Sequence, residues 1–432
     1  MKFYAGLLFV ALIGCAHRDV FSAPTPVPSE TALLAEDTDS VPLPQAPDWK
    51  SSTVAGVYRN SDTPTVPQFI RLARTSVDIE IYEMEDAEVR AAIRDALARG
   101  VRVRVVKEPK PIGETCDPFV EMIAKPRKKK MSEKRASECN DQRALVREIR
   151  AKGGAYVPFA KKSLCGRTKK KGNCFQHGKM ILIDTDRMAL VSTGNFNASN
   201  LCDLPADPST CNRDYSYITR DTRITRVLHE IFEKDLVGLR YDLASIVTKP
   251  EVASRLTVSP YTREPLFAFL RGAKKRIQIQ NQYLNANSEI PDVLIAKAKE
   301  GVVVEVQLAD VCSFGKPTES KAYESNLVFT ALETAGVKLR MFNKTHKING
   351  KPGYMHAKAI VIDDAKAWVG SVNGSETSID QNREFGLFFS HPDRVSALSK
   401  MMAEDLEAPT AQTWRDSLAC RNRGHRSADA AK

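Results

Sequence analysis

The feature that most constrains this chain is a pattern written twice. His177-Gly-Lys179 is followed after four apolar residues by Asp184, and His356-Ala-Lys358 after four more by Asp363. Behind each comes a short group ending in Asn: Ser192-Thr193-Gly194-Asn195 after the first, Gly370-Ser371-Val372-Asn373 after the second. One match to three fixed positions arises by chance in about one chain of this size in twenty, and each further fixed residue divides that by about twenty. Two complete copies therefore point to an internal duplication.

The surroundings repeat as well. Alternating apolar residues from Val77 to Ile81 and from Val101 to Val105 read as strands, with a helical stretch from Glu88 to Arg99 between them. The same order returns about 200 residues later as Ile277 to Gln280, a helical Ile290 to Glu300, and Val302 to Val306. A helix-like Ala144 to Lys152 before Val157 matches Leu327 to Thr334 before Val337, at an offset nearer 180 because the first copy carries a longer insertion after Pro109. Strands interleaved with helices predict an α/β layered fold in each copy. The expected domains are 51–247 and 255–405, followed by a polar basic tail over 406–432.

Hydrophobic residues at 42% and charged residues at 27% exclude a disordered, collagen-like or coiled-coil chain. The net charge of +11 favours an anionic partner, phospholipid or nucleic acid. That charge is local. Residues 125–135 carry seven bases and one acid, and 161–171 carry six bases and no acid, so everything else sums to −1. Solvated loops and an anionic-surface contact explain these clusters equally well. The second runs directly into the first catalytic motif, which favours substrate or membrane approach.

At the N-terminus Lys2 precedes an apolar run from Phe3 to Gly14, the length of a signal-peptide core and short of the ~20 residues that span a bilayer. It ends Leu12-Ile13-Gly14-Cys15, which resembles the bacterial lipobox. Residues 1–14 would then be a signal peptide, Cys15 the lipidated first residue, and 15–50, rich in Pro, Ser, Thr and Asp, a flexible tether. The alternative is an ordinary secretory signal cut near Ala23. The lipobox implies export to a bacterial cell envelope, and Ala16 rather than Asp after the cysteine favours an outer-membrane anchor facing the periplasm. Eight further cysteines, at 116, 139, 165, 174, 202, 211, 312 and 420, form an even set, which in an exported chain suggests disulfides. Cys165 with Cys174 and Cys202 with Cys211 enclose short polar stretches and are the first pairs expected. A zinc site is the rival, but CxxC spacings are absent.

The spacing of the doubled motif has its own logic. On a strand, His and Lys two apart share a face, so His177 with Lys179 and His356 with Lys358 can each meet one phosphate. Asp184 and Asp363 have the opposite parity and read as structural partners. Ser371 and Asn373 share a face on the next strand. Cleaving a phosphodiester takes a nucleophile, an acid for the leaving oxygen and neutralisation of the equatorial charge. Two histidines meet the first two needs, and a carboxylate behind each ring fixes its tautomer. Lys179, Lys358, Asn195 and Asn373 would hold the phosphoryl oxygens in the part a metal plays elsewhere, so neither metal nor cofactor is expected. His229 in a helical pattern reads as a structural or surface residue. Ser375 and Asn197, two residues past each Asn, read equally as site or turn residues. Tyr82 and Tyr283 end the matched strands, where an aromatic could flank the pocket, and core packing is the preferred reading for both.

These residues resemble the phospholipase D superfamily, whose mark is HxK(x)4D(x)6GSxN present twice. The resemblance covers roughly residues 65 to 405, and Asn212-Arg213-Asp214 and Asn382-Arg383-Glu384 sit where many members place the carboxylate behind the catalytic His. The first copy departs from the pattern, with Ser192-Thr193 for Gly-Ser and one extra residue. The resemblance implies a tandem duplication of a phospholipase D-like αβα sandwich with the active site at the interface of the two halves, so that no oligomer is required. It makes His177 the usual nucleophile, forming a phosphohistidine, and His356 the acid, although the sequence itself does not order them. Hydrolysis or transphosphatidylation of phospholipid headgroups is the leading expectation. A metal-independent endonuclease of the same superfamily is the alternative, with nucleic acid as its partner. Cardiolipin synthase-like transfer ranks lower because a lipobox stands in place of spanning helices. A non-catalytic lipoprotein that binds anionic surfaces comes last, because both motifs are intact.

Overall fold

The computed structural model describes residues 54–112, 116, 118–119, 132–165, 174–313 and 315–419. Cys15 and its lipobox, the tether, most of both basic clusters, Cys420 and the end of the chain lie outside the described residues. The first half contributes β1 (Gly56–Arg59), β2 (Ser76–Ile81), β3 (Arg102–Lys107), β4 (Ala155–Pro158), β5 (Lys179–Ile183), β6 (Met188–Ser192), β7 (Cys211–Arg213) and β8 (Tyr215–Thr219). All but β7 form one sheet in the order β1-β8-β6-β5-β2-β3-β4. The second half contributes β9 (Leu256–Val258), β10 (Arg276–Asn281), β11 (Val303–Ala309), β12 (Lys338–Phe342), β13 (Lys347–Ile348), β14 (Lys351–Met355), β15 (Lys358–Ile362), β16 (Lys366–Gly370) and β17 (Phe385–Phe389). Its main sheet runs β12-β11-β10-β15-β16-β17-β9, the same arrangement read from the other edge. In both, the repeat strands pair in parallel, β2 with β3 and β10 with β11, and the strand carrying the motif joins them antiparallel.

Strand parity decides which face goes where. Along β5, Ile181 and Ile183 point into a core with the helices Thr65–Arg71, Ala87–Ala98 and Glu133–Ala151. Met180 and Leu182 point the other way, into a core shared with Ala359 and Val361 of β15. The two sheets therefore meet through their inner faces, where Tyr217 stacks on Phe389 with ring centroids 4.2 Å apart. The helices Thr222–Val237 and Pro392–Leu406 bury Leu228, Phe232, Leu398 and Met402 in that same core. Each sheet thus has helices on both faces, the αβα sandwich implied by the resemblance. A small third sheet stitches the halves, with β14 parallel to β7 in the register Tyr354↔Asn212 and Met355↔Arg213.

Three expectations need correction. The helices expected from Ala144 and Leu327 begin earlier, at Glu133 and Glu319, where Ser132 and Thr318 cap them. Their first turns are polar and exposed, so no apolar stripe marks them, and the end of the first basic cluster is helical rather than loop. The tail expected from residue 406 begins later. Gln412 bridges to Met341 of β12, and Trp414 is buried in the second core at the head of the helix Trp414–Leu418. Finally, β5 and β15 begin at the lysines, so His177 and His356 lie just before their strands.

Both expected disulfides, Cys165–Cys174 and Cys202–Cys211, are present. Cys116–Cys139 is a third, and Cys312 is disulfide-bonded as well.

Candidate active site

The approach to each histidine is held by the opposite half. The backbone N–H of His177 donates to the Arg383 carbonyl at 2.8 Å, and that of His356 donates to the Arg213 carbonyl at 3.1 Å. This places each ring against the carboxylate one residue further on. His177 Nδ1 lies 2.9 Å from Glu384 Oε2, and His356 Nδ1 lies 2.9 Å from Asp214 Oδ1. Both pairs cross the interface. With Nδ1 of each imidazole against a carboxylate, Nε2 is the nitrogen left to face a substrate.

The carboxylates are fixed in turn. Asp214 accepts from Thr193 Oγ1 at 2.6 Å and Asn200 Nδ2 at 2.7 Å, and Glu384 accepts from Ser378 Oγ at 2.5 Å and Asn382 Nδ2 at 2.9 Å. Asn200 and Ser378 are equivalent positions that the sequence reading did not single out. Burial opposes ionisation of both acids, but the adjacent histidines and lysines outweigh it and hold them below their usual range. Thr193 also resolves the departure in the first motif. Its hydroxyl accepts the Tyr215 N–H at 2.9 Å, as the Ser371 hydroxyl accepts the Phe385 N–H at 3.1 Å. The neighbouring Gly194 is required for space, since a Cβ there would meet Asp214 Oδ2 at 2.6 Å.

Behind the carboxylates lies a second crossed pair. Arg213 meets Asp405 with Nε to Oδ2 at 2.6 Å, and Arg383 meets Asp235 with Nε to Oδ2 at 2.8 Å. These buried ion pairs tie each carboxylate-bearing segment to the last turns of the other half's inner helix. Removing one partner of such a pair costs about 3–5 kcal/mol, because the other charge is left buried alone.

Lys179 and Lys358 are fully buried, and each ammonium bonds the carbonyl of its own histidine. Lys358 Nζ is also 3.2 Å from His356 Nε2. Burial lowers the proton affinity of both, to about 8 for Lys179 and about 7 for Lys358. Burial and then Lys358 push His356 down to about 4 against the pull of Asp214, and burial and then Lys179 lower His177 against the pull of Glu384. Burial thus disfavours the protonated forms of these groups, and an entering anion would favour them again. Among the described residues no group of three or more His, Cys, Asp or Glu is arranged to hold a metal ion.

Asn195 and Asn373 flank the pair just beyond β6 and β16, each with a buried amide oxygen that has no hydrogen-bond partner among the described residues. Ser371 and Asn373 were expected on a strand, but β16 ends at Gly370. Asn197 and Ser375 cap the short helices Ala198–Leu201 and Glu376–Asp380, a turn role. Asp184 and Asp363 lie outside the site. Asp184 Oδ1 accepts the backbone N–H groups of Arg74 and Thr75 at 2.7 and 2.8 Å, and Asp363 Oδ1 accepts those of Lys275 and Arg276 at 2.7 and 2.9 Å. They hold the loops that lead into β2 and β10. His229 sits 3.1 Å from Glu233 on its own helix, away from the motifs.

Tyr82 departs from the core role expected of it. Its ring packs edge-on against His177, with centroids 4.9 Å apart, and its hydroxyl accepts the Ile112 N–H at 2.7 Å. Tyr283 is half-buried, and its hydroxyl interacts with Ser375 and Asn373. Glu83 was missed altogether. Its Oε2 accepts Asn195 Nδ2 at 2.9 Å and Asn197 Nδ2 at 3.0 Å. The 200-residue offset would have exposed it, because it sets Glu83 opposite Tyr283.

A family described as Cardiolipin synthase, PLD-like domain matches residues 66–236 and 266–406. The Bacillus subtilis protein named Probable cardiolipin synthase YwiE is 23% identical over 277 residues, 61% of this chain and 52% of its own. The cardiolipin synthase of Geobacillus kaustophilus is 25% identical over 285 residues, with the same coverage of 61% and 52%. The chain thus spans about half the length of these relatives. Among solved structures, phosphatidylserine synthase of Haemophilus influenzae shares the fold at a TM-score of 0.53 and 13% identity, covering 84% of this chain and 88% of that one. Polyphosphate kinase of Porphyromonas gingivalis gives 0.53 at 15% identity, covering 88% of this chain and 56% of that one.

Proposed function

The chain belongs to the phospholipase D superfamily through both of its halves, and from that membership we propose that it is a phosphatidyltransferase of the cardiolipin synthase kind. From sequence alone, hydrolysis and transphosphatidylation of phospholipid headgroups lead together. The named relatives are synthases, and they move the weight to transfer onto an alcohol. The observation that carries the reading is the pair of His–carboxylate contacts, each made across the interface and each leaving one Nε2 for the reacting phosphate.

In the first step Nε2 of one histidine, His177 by resemblance, attacks phosphorus. The bond from phosphorus to the headgroup oxygen breaks, and that oxygen takes a proton from the other histidine, His356. The headgroup leaves as an alcohol and the phosphatidyl group stays on nitrogen. In the second step an acceptor hydroxyl gives its proton back to His356, its oxygen attacks phosphorus, and the phosphorus–nitrogen bond breaks. Lys179 and Lys358 carry the charge of the phosphoryl oxygens throughout. With phosphatidylglycerol as both donor and acceptor the products are cardiolipin and glycerol, whereas water as acceptor yields phosphatidic acid.

Cys15 is proposed as a lipid anchor that keeps the site beside its substrate. No helix among the described residues is long and apolar enough to cross a membrane. Incubating the protein with phosphatidylglycerol vesicles, with and without EDTA, tests the proposal. Cardiolipin and glycerol in equal amounts are expected, phosphatidic acid alone returns the reading to hydrolysis, and turnover of single-stranded DNA with no lipid product overturns it.

A further inference from the structure

The two halves match in histidine, lysine and asparagine and each supplies a carboxylate, yet one of the positions at which they differ changes the charge against the site. Where the second half has Tyr283, the first has Glu83. This residue follows the end of β2 by two and holds both Asn195 and Asn197 through a single oxygen, Oε2. Burial and Glu85 raise its proton affinity, Lys179 and Lys107 pull against that rise, and its hydrogen bond to Asn195 sets it one side chain away from the paired histidines and lysines. A structural brace for Asn195 needs an acceptor and no charge. Tyr283 interacts with Asn373 and Ser375 in the equivalent place with a neutral hydroxyl.

We propose that Glu83 is a specificity-determining residue, whose carboxylate accepts a hydrogen bond from the headgroup that leaves or from the alcohol that enters, and so selects headgroups carrying a hydroxyl or ammonium donor. The inference rests on the phosphatidyltransferase reading and deepens it. A carboxylate beside the scissile phosphate rewards a donor and penalises a second anion. Hydroxyl and ammonium headgroups share the required chemistry. A polynucleotide carries a further phosphate on either side of the one being cut, so the same carboxylate stands against it.

The test compares wild type with Glu83→Gln and Glu83→Leu on vesicles of phosphatidylglycerol, phosphatidylethanolamine, phosphatidylcholine and phosphatidylmethanol. The first two headgroups donate hydrogen bonds and the last two do not. Gln can still accept from Asn195 and Asn197 but carries no charge. The proposal expects it to lower kcat/KM by roughly 10- to 100-fold on whichever donor headgroup the wild type prefers, and by less than about threefold on the two without donors. Preference for phosphatidylglycerol identifies the hydroxyl as the recognised donor, and preference for phosphatidylethanolamine the ammonium. Equal loss on all four lipids with either variant, or no loss with Gln and a uniform loss with Leu, makes Glu83 a brace for Asn195 and overturns the proposal alone. A wild type that turns over none of the four overturns the transferase reading and the proposal together. Thermal midpoints of the variants separate loss of folding from loss of selectivity.

Discussion

Asp214→Asn isolates the crossing of the two halves, because the sequence leaves open which histidine that carboxylate serves. In the structure Asp214 is fully buried and bonds His356 Nδ1 at 2.9 Å, while Glu384 serves His177. Asparagine keeps the shape and removes the charge. A hydrogen bond to a charged partner contributes about 1.5–3 kcal/mol. At 1.36 kcal/mol per decade, kcat on phosphatidylglycerol should therefore fall by roughly 10- to 150-fold, with KM nearly unchanged if, as proposed, the lysines hold the phosphate. The assay is a double-mutant cycle on a diester with a p-nitrophenyl leaving group, which departs without a proton and keeps His356→Asn measurable. In the His356→Asn background Asp214→Asn should cost less than about threefold, since the two act as one unit. In the His177 half of the cycle the coupled carboxylate should be Glu384, tested as Glu384→Gln. If Asp214→Asn keeps its full effect without His356 and loses it without His177, the crossed pairing is wrong.

Other outcomes follow from the same geometry. An anionic phosphate analogue such as tungstate should bind with proton uptake, because anion binding raises proton affinities that stand at about 4 for His356, 7 for Lys358 and 8 for Lys179. Its affinity should fall as pH rises through 7 to 8, and calorimetry in buffers of different ionisation enthalpy measures the protons; affinity independent of pH over that range contradicts the burial argument. Asp363→Ala removes the acceptor for the backbone N–H groups of Lys275 and Arg276 and should cost about 1–3 kcal/mol of stability in denaturant, with kcat of the folded fraction preserved. Replacing Cys202 and Cys211 with Ala opens a bridge of sequence separation 9 that closes the loop into β7; chain entropy puts the loss at about 2–3 kcal/mol, read from chemical unfolding. Cys15→Ser should abolish metabolic labelling with fatty acid and release the protein from membranes, and a labelled, membrane-bound mutant would refute the lipobox.

The sequence by itself determined the duplication, the α/β class of each half, two of the disulfides and the identity of the paired His, Lys, Asn and carboxylate residues. The carboxylates came from the resemblance to the phospholipase D superfamily, and the rest is written in local spacing. A two-residue step chooses a strand face, alternating apolar residues mark a strand with one face in a core, and a motif copied twice shows its own period. Asp184 and Asp363 were separable from the chemistry for the same reason, their parity being opposite to that of the histidines. Polar first turns hid the starts of the helices Glu133–Ala151 and Glu319–Thr334, because exposed residues carry no periodicity to read.

The partner of each histidine was a matter for the tertiary structure. Asp214 is 37 residues from His177 and 142 from His356 in the chain, yet it meets the more distant one. The inner faces of the two sheets pack together, and β7 runs beside β14 in parallel, so the carboxylate that ends one segment is delivered to the histidine that ends the other. The same packing turned Tyr82 from an expected core residue into a wall of the site and brought Glu83 onto Asn195. Periodicity fixes the direction of a side chain relative to its own strand, while its neighbours across an interface depend on how two faces dock, which is set by the shape and burial of residues far apart in the chain.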